Sequence, residues 1–545
     1  MNKEADLILT GGQFFPGKGL DDQIEFIAIK ENKILKLGLK DDMYQYIGEG
    51  TKIIQLEKDD FVMPGFVDAH LHIVMAGMMQ KYVDLGAATS EDEAARMVRD
   101  FAETIPDDDW ILGFNWYNAS WENSIASTLE SLDRYILNRP VCLIHASGHG
   151  GWVNSKALEL LGIDSNTEDP KYGKISRFED GSPSGYLYES ALVYAIKIAF
   201  DMPVENEKVF IKEYMKEANS FGITSSADME PFYGSILGKY QSYHELDKTN
   251  ELTVRIHAAP HLLGNIDEVT QAALKFNTDM YRINMLKEFM DGVPSTFTAL
   301  MVDPYKDDLT TCGAPLSDLN EIYNKVDEAH EKGFSVRLHA CGDKAVRNSL
   351  DAIESAIKKH GKKDLRHTVE HVEIIHPDDF LRFKELGVCA CIQPAHLAMT
   401  KKSEANQLSK KFTDKQLELC FAINSLMKSG CIVAFGSDCP VASINPFVGI
   451  YRAVTRLHDD GKVEGIITPS EKINIEDALH AYTYNGAYCI GRENELGTLE
   501  EGKLADIAVL DKNLLSINPE EIRNTSAVLT IMNGKIVYLK KGRKI

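Results

Sequence analysis

Apolar and polar positions alternate along the first sixty or so residues in short runs broken by turns. ADLILTGGQFFPG (5–17) and IEFIAIKENKILKLG (24–38) read as strands, the second folded back on itself at a polar ENK turn. The C-terminal stretch echoes them. ADIAVLDKNLL (505–515) and AVLTIMNGKIVYLKKGRKI (527–545) give further strands, with Asn533-Gly534 placed as a tight hairpin turn. All-β pieces flanking a long middle predict one small β-sandwich composed of residues 1–62 and 500–545.

Between them, over 63–499, the period changes. Apolar runs (FVMPGFVDAHLHI, TVRIHAAP, YRINMLKEFM, GFSVRLHACG, LRHTVEHVEII, GVCACIQPAHL, CIVAFGSDCP) alternate with amphipathic stretches such as SDLNEIYNKVDEAHEKG. This is the pattern of βα units around a parallel sheet. Polar and charged residues gather at the C-terminal ends of the strand-like runs, where a (β/α)8 barrel builds its site. Residues from about 75 to 210, which contain WILGFNWYNASW and HASGHGGWVNSKAL, break the rhythm and are read as an insertion over the barrel mouth.

Composition narrows the choice of partner. A chain of 545 residues, 44% hydrophobic, can bury a core large enough for one big catalytic domain with satellites. Its 59 basic against 82 acidic side chains give a net charge of −23, which argues against nucleic acid and anionic membranes and leaves a small-molecule substrate, with a homodimer as an open assembly. No stretch approaches the ~18 apolar residues of a membrane span. The start, MNKEADLILTGG, lacks the apolar core of a signal peptide, and nine cysteines without a C-x-x-C pair suggest neither a thiolate zinc site nor a disulfide framework. A reducing cytoplasm fits this pattern.

In VDAHLHI, strand alternation puts His70 and His72 on one face with Asp68, and Val67, Ala69, Leu71 and Ile73 on the other. Two imidazoles about 7 Å apart along a strand can converge on one ion. Taken alone, the pair is equally well explained as satisfied core or surface histidines. Four more polar residues end later apolar runs: Lys287 in INMLKEFMDG, His339 in FSVRLHACGD, His371 in RHTVEHVEII and Asp438 in IVAFGSDCP. Burying such groups unpartnered costs several kcal/mol. A bound cation removes that cost.

PGFVDAHLHI, HASGHGGWVNSKAL, GSPSGYLYESA, KEFMDG, RLHACGDKAV, RHTVEHVEII, IQPAHL, GSDCPV, NPFVGIYRAVTR and LGTLEEGKLADIAVLD follow one another through nearly the whole chain. In these blocks the chain resembles the amidohydrolase superfamily, specifically the amidohydrolase family 3 branch of YtcJ-like proteins that includes N-substituted formamide deformylases. The resemblance implies an α/β fold, a (β/α)8 TIM barrel with a small β-sandwich from both termini, and a one- or two-metal site. By the same resemblance His70 and His72 bind one metal, His339 and His371 the other, Lys287 bridges them, and Asp438 is both ligand and base. An ammonium cannot coordinate a cation, but a lysine whose pKa is lowered by burial reacts with carbon dioxide to give a carbamate, an anionic oxygen ligand. An unmodified Lys287 beside a single metal is the alternative. Nitrogen and carboxylate donors suit zinc, the default, and also Mn, Fe, Co or Ni.

Such an ion lowers the pKa of bound water to about 7 and polarises a carbonyl. Asp438 then takes the proton of the attacking hydroxide and delivers it to the leaving nitrogen. The expected reaction is hydrolysis of a carbon–nitrogen bond other than a peptide bond, in an amide or N-substituted formamide. His396, just past a strand end, is a further catalytic candidate, and His367 shares a strand face with His371. His149, Trp152 and Trp116 are candidates for substrate contact, with His145 and Asn154 beside them; an aromatic cluster of Trp116, Tyr117 and Trp121 would suit an apolar acyl or aryl group. Cys439 is not expected to act as a nucleophile beside Asp438, which would raise its pKa. Two other readings stay open: a deaminase or cyclic amidase of the same fold, disfavoured because Ala340 to Asp343 after His339 contain no Glu, and a non-catalytic regulator, disfavoured because every proposed ligand is present.

Overall fold

The computed structural model describes residues 4–543 except 18, 22, 80, 106–109, 119–120, 122–126, 230–236, 399–404 and 458–467. It divides into two compact units, Met1–Leu71 with Tyr214–Met229 and His244–Ile545, and His72–Glu213 with Glu230–Tyr243.

In the first unit, Leu7–Thr10 lies between Phe26–Lys30 (antiparallel) and Lys52–Gln55 (parallel), and Lys33–Gly38 folds back on Phe26–Lys30 across the Glu31-Asn32 turn. A second sheet runs in the order Gln13–Phe14, Phe61–Pro64, Ile507–Leu510, Ala527–Met532, Lys535–Leu539, so both ends of the chain contribute to it. Asn533 and Gly534 both adopt positive φ (53° and 73°), the conformation that joins two antiparallel strands without splaying them. Leu9, Ile27, Ile29, Val62, Ile507, Val509 and Ile531 of the two sheets share one apolar core.

The same unit holds two wholly parallel sheets. One orders Tyr281–Ile283, Arg255–Ala258, Ile223–Asp228, Phe66–Leu71; the other orders Met285–Phe289, Ser335–Ala340, Thr368–His371, Cys389–Ile392, Val433–Phe435. Asn284 alone separates Tyr281–Ile283 from Met285–Phe289. Lys287 N–H donates to Pro260 O and Leu262 N–H to Lys287 O, each at 2.8 Å, while Asp438 N–H donates to His70 O at 2.7 Å. The first set ties the segment after Arg255–Ala258 to Met285–Phe289, and the second ties the segment after Val433–Phe435 to Phe66–Leu71. Leu319–Lys332 shows how the intervening helices are built: the Asp318 carboxylate caps two N–H groups, Ile322, Val326 and Ala329 face inward, and Gly333 at φ 86° ends it. One strand, Ile223–Asp228, escapes the sequence pattern. Its ITSSAD carries no apolar run, yet Ser225 and Ser226 are buried, with Ser226 Oγ bonded to Tyr214 at 2.5 Å.

The second unit is built on a six-stranded sheet ordered Gly173–Arg177, Pro183–Glu189, Gly150–Val153, Val141–His145, Ile111–Trp116, Val83–Asp84. Among the described residues no helix is long and apolar enough to cross a membrane.

Candidate metal centre

Parallel strands deliver their C-terminal residues to one place, and the first of these is His70. Its Nδ1 lies 2.6 Å from Glu370 Oε2, which makes Nδ1–H the donor and turns Nε2 toward Asp438 Oδ1, 3.4 Å away. Glu370 also receives the guanidinium of Arg337, which donates further to Ala69 O at 2.5 Å and Cys489 O at 3.4 Å. Burial alone would raise the Glu370 carboxyl, but Arg337 and His70 override it and hold it at about 2. A buried anion thus fixes both the tautomer and the ring plane of His70.

His371 stands between two other imidazoles, its ring centroid 4.8 Å from that of His70 and 4.4 Å from that of His339. Burial, then the neighbouring His339 and His70, push its pKa well below the usual range, so the ring is neutral. Its Nδ1 has no hydrogen-bond partner among the described residues. Asp438 completes the group: one donor atom each of His70, His371 and Asp438 fall within 4.8 Å of one another, all three buried. Both His371 (φ 70°) and Asp438 (φ 57°) are left-handed, a conformation costing about 1–2 kcal/mol for a residue with a Cβ. Backbone bonds from Val372 N–H to Ala340 O and from Asp438 N–H to His70 O hold them there. Strain tolerated at two converging donors marks a place where side-chain direction outweighs backbone comfort.

His339 is oriented in the same way as His70. Its Nδ1 is 3.2 Å from Asp291 Oδ1, and Asp291 accepts N–H bonds from Leu300, Cys341 and Gly342 at 2.8–3.0 Å. Lys287 is fully buried, its Nζ 4.7 Å from the Phe289 ring centroid and without a hydrogen-bond partner among the described residues. Burial lowers its pKa. An ammonium buried without a hydrogen-bond partner is costly. His396 Nε2 is 3.5 Å from Asp438 Oδ2, its Nδ1 is 3.7 Å from Glu373 Oε1, and the Arg452 guanidinium holds the carbonyl of the preceding Ala395.

The alternation expected through His72 breaks before it. The strand ends at Leu71, and its pairing with Ile223–Asp228 skips a residue between Asp68 and Leu71, an irregularity of the kind that re-aims side chains. His72 is buried, and it is the first residue of the second unit. His371 groups with His70 and Asp438 as well as with His339, where the sequence reading had paired it with His339 alone. His367 is accounted for elsewhere: Nδ1 accepts the N–H of Val336 at 3.1 Å and Nε2–H donates to His330 Nδ1 at 2.9 Å.

The residues picked out in the second unit form a self-contained cluster. Trp116 and Trp152 are fully buried against each other and against Trp121 and Tyr186, with their indole N–H groups given to Leu143 O and Thr128 O. That is core packing. Asn154 caps Ser155–Leu161 and bonds Val141, Ile136 and Arg139, while His149 Nδ1 sits 2.9 Å from Glu189. Glu370, Arg337, Asp291 and Glu373 were not singled out from sequence. Each lies within or beside a motif that was, Glu370, Glu373 and Arg337 one or two residues from a chosen residue and Asp291 four from Lys287, but a carboxylate declares its role toward a histidine only once the rings are placed.

Residues 58–538 match the amidohydrolase family. The chain is 30% identical to protein LONG AFTER FAR-RED 3 of Arabidopsis thaliana, over 98% of this chain and 92% of that protein. It is 27% identical to an N-substituted formamide deformylase of Arthrobacter pascens, over 88% and 89% respectively. Its fold is similar to that of an uncharacterized metal-dependent hydrolase from Pyrococcus furiosus, with a TM-score of 0.73 and 27% identity over 94% of this chain and all of that one.

Proposed function

We propose that this chain, which belongs to the amidohydrolase family, hydrolyses a carbon–nitrogen bond of a small amide or N-substituted formamide. The observation that carries the reading is the buried convergence of His70, His371 and Asp438, together with the buried Lys287, whose Nζ has no hydrogen-bond partner among the described residues. We read the two parallel sheets as arcs of one (β/α)8 barrel, supported by the hydrogen bonds at Lys287 and at Asp438 that tie segments following a strand of one sheet to an edge strand of the other. On that reading every donor stands at the C-terminal face.

His70, His339, His371 and Asp438, with Lys287 as a carbamate, would hold one or two divalent ions, zinc by default. Such an ion, when bound, supplies the Lewis acidity that acidifies water and polarises a carbonyl. The remaining work belongs to side chains. Asp438 divides its carboxylate, Oδ1 toward His70 and Oδ2 toward His396. Oδ2 takes the proton of the attacking water and returns it to the leaving nitrogen, whose departure as an amine requires it. His396, placed between Asp438 and Glu373, orients Oδ2 and contacts the substrate carbonyl side. Incubating the zinc-replete protein with a panel of N-substituted formamides and simple amides, with amine release measured with and without chelator, tests the reading. Chelator-sensitive release is expected; a zinc-loaded protein that releases amine from none of them would overturn it.

A further inference from the structure

We infer that Cys341 is a metal ligand, its sulfur closing on the same cation as His339 Nε2. The inference rests on the reading of His339 as a ligand and adds a soft donor to it. Asp291 engages His339 at Nδ1, which leaves Nε2 as the ring's acceptor, and the Cys341 sulfur is 3.7 Å from that nitrogen. Zinc–nitrogen and zinc–sulfur bonds of about 2.0 and 2.3 Å at a tetrahedral angle place N and S about 3.5 Å apart. The observed 3.7 Å is within a few tenths of an ångström of that bite.

Asp291, His339 and Cys341 each bring a donor atom within 4.8 Å of the others, and all are buried. Asp291 is not the ligand of the three. Its two oxygens are already committed to three backbone N–H groups and His339 Nδ1. That side chain holds the ring from behind, and also accepts the backbone N–H of Cys341 itself at 3.0 Å, so one carboxyl group positions both the imidazole and the cysteine. The N–H bonds at Cys341 and Gly342 fix the turn that follows the Ser335–Ala340 strand; strand alternation would keep Cys341 on the face of His339 but about 7 Å further along, and the turn instead brings its sulfur to 3.7 Å from His339 Nε2.

A protonated thiol at this distance would donate to His339 Nε2. Metal entry breaks the S–H bond, forms the sulfur–metal bond, frees Nε2 to coordinate and releases the proton to solvent, with no change of oxidation state. A thiolate in the set favours zinc or cobalt over manganese or magnesium. A sequence without a C-x-x-C pair gives no hint of it, because the partner of this cysteine is a histidine two residues away.

The experiment loads the metal-stripped full chain with cobalt(II), counts bound cobalt by elemental analysis and records the near-ultraviolet spectrum of wild type, Cys341→Ser and Cys341→Ala. Thiolate-to-cobalt charge-transfer absorption is expected in wild type and is expected to be lost in both variants, each folded by circular dichroism. Cobalt bound without that absorption, or an absorption that survives in both variants, would overturn the assignment of Cys341 while leaving the metal site intact. A wild-type chain that binds no cobalt would overturn both.

Discussion

Glu370 Oε2 lies 2.6 Å from His70 Nδ1, and its other oxygen receives Arg337, so a single buried carboxylate ties a strand-end imidazole to a fully buried guanidinium. The pair has separable roles in binding and in folding. Glu370→Gln keeps the shape and one hydrogen bond but removes the charge, and is expected to weaken metal affinity by about 10–100-fold, read from competitive titration with a chromophoric chelator. Glu370→Ala strands Arg337 without its counter-ion and is expected to cost about 3–5 kcal/mol in urea unfolding. Unchanged metal affinity in Glu370→Gln would show that the carboxylate serves the fold alone.

Asp438 is assigned both to the ion and to the proton. Asp438→Asn retains an oxygen donor but cannot accept the proton, so turnover on a formamide or amide substrate is expected to fall by about 10²–10⁴-fold with most of the metal retained. Elemental analysis alongside the rate separates the two assignments. A variant that loses metal in proportion to activity would reduce Asp438 to a ligand.

The isolation of the Lys287 Nζ predicts a dependence on dissolved carbon dioxide. Metal-stripped wild type reconstituted in bicarbonate is expected to bind more ions than in carbonate-free buffer, and Lys287→Met is expected to bind the same number in both. Identical loading of wild type under the two conditions would favour an unmodified lysine beside one metal.

His367 and His330 form a hydrogen-bonded chain that an added proton must break. Burial holds His367 at about 3, against about 6.5 when unfolded, so the unfolded chain binds the proton first and stability falls as pH drops from about 6.5 toward 3. At about 1.4 kcal/mol per pH unit, His367 alone removes roughly 2 kcal/mol between pH 7 and pH 5. His367→Gln can still accept from Val336 and donate to His330. It is expected to be less stable than wild type at pH 7 but to lose roughly 2 kcal/mol less on acidification, measured by urea unfolding at both pH values. Parallel losses in the two proteins would count against this chain as an acid-sensitive element.

Much of this was legible in one dimension. The Glu31-Asn32 and Asn533-Gly534 turns, the helix ending at Gly333 and seven of the strand-like runs follow from local period and turn chemistry, because short-range sterics and the burial of one face decide them. His70, His339, His371, Lys287 and Asp438 could be chosen because polar groups at the ends of apolar strands are expensive without a purpose. ITSSAD could not be read as a strand, since its serines are buried by tertiary packing, Ser226 against Tyr214 on the preceding helix, and not by any pattern of their own.

The sequence by itself therefore settled which residues had to be explained, as each local run carries its own energetic cost. Only the tertiary structure decided how they combine. That Glu370 orients His70 across 300 positions, that Asp291 holds His339 and Cys341 together, that Trp116 and Trp152 pack on each other, and that the strand ends one residue before His72 are all consequences of register and side-chain direction. Such relationships arise where distant segments meet, and a ring nitrogen acquires its role from the atom that bonds its other side.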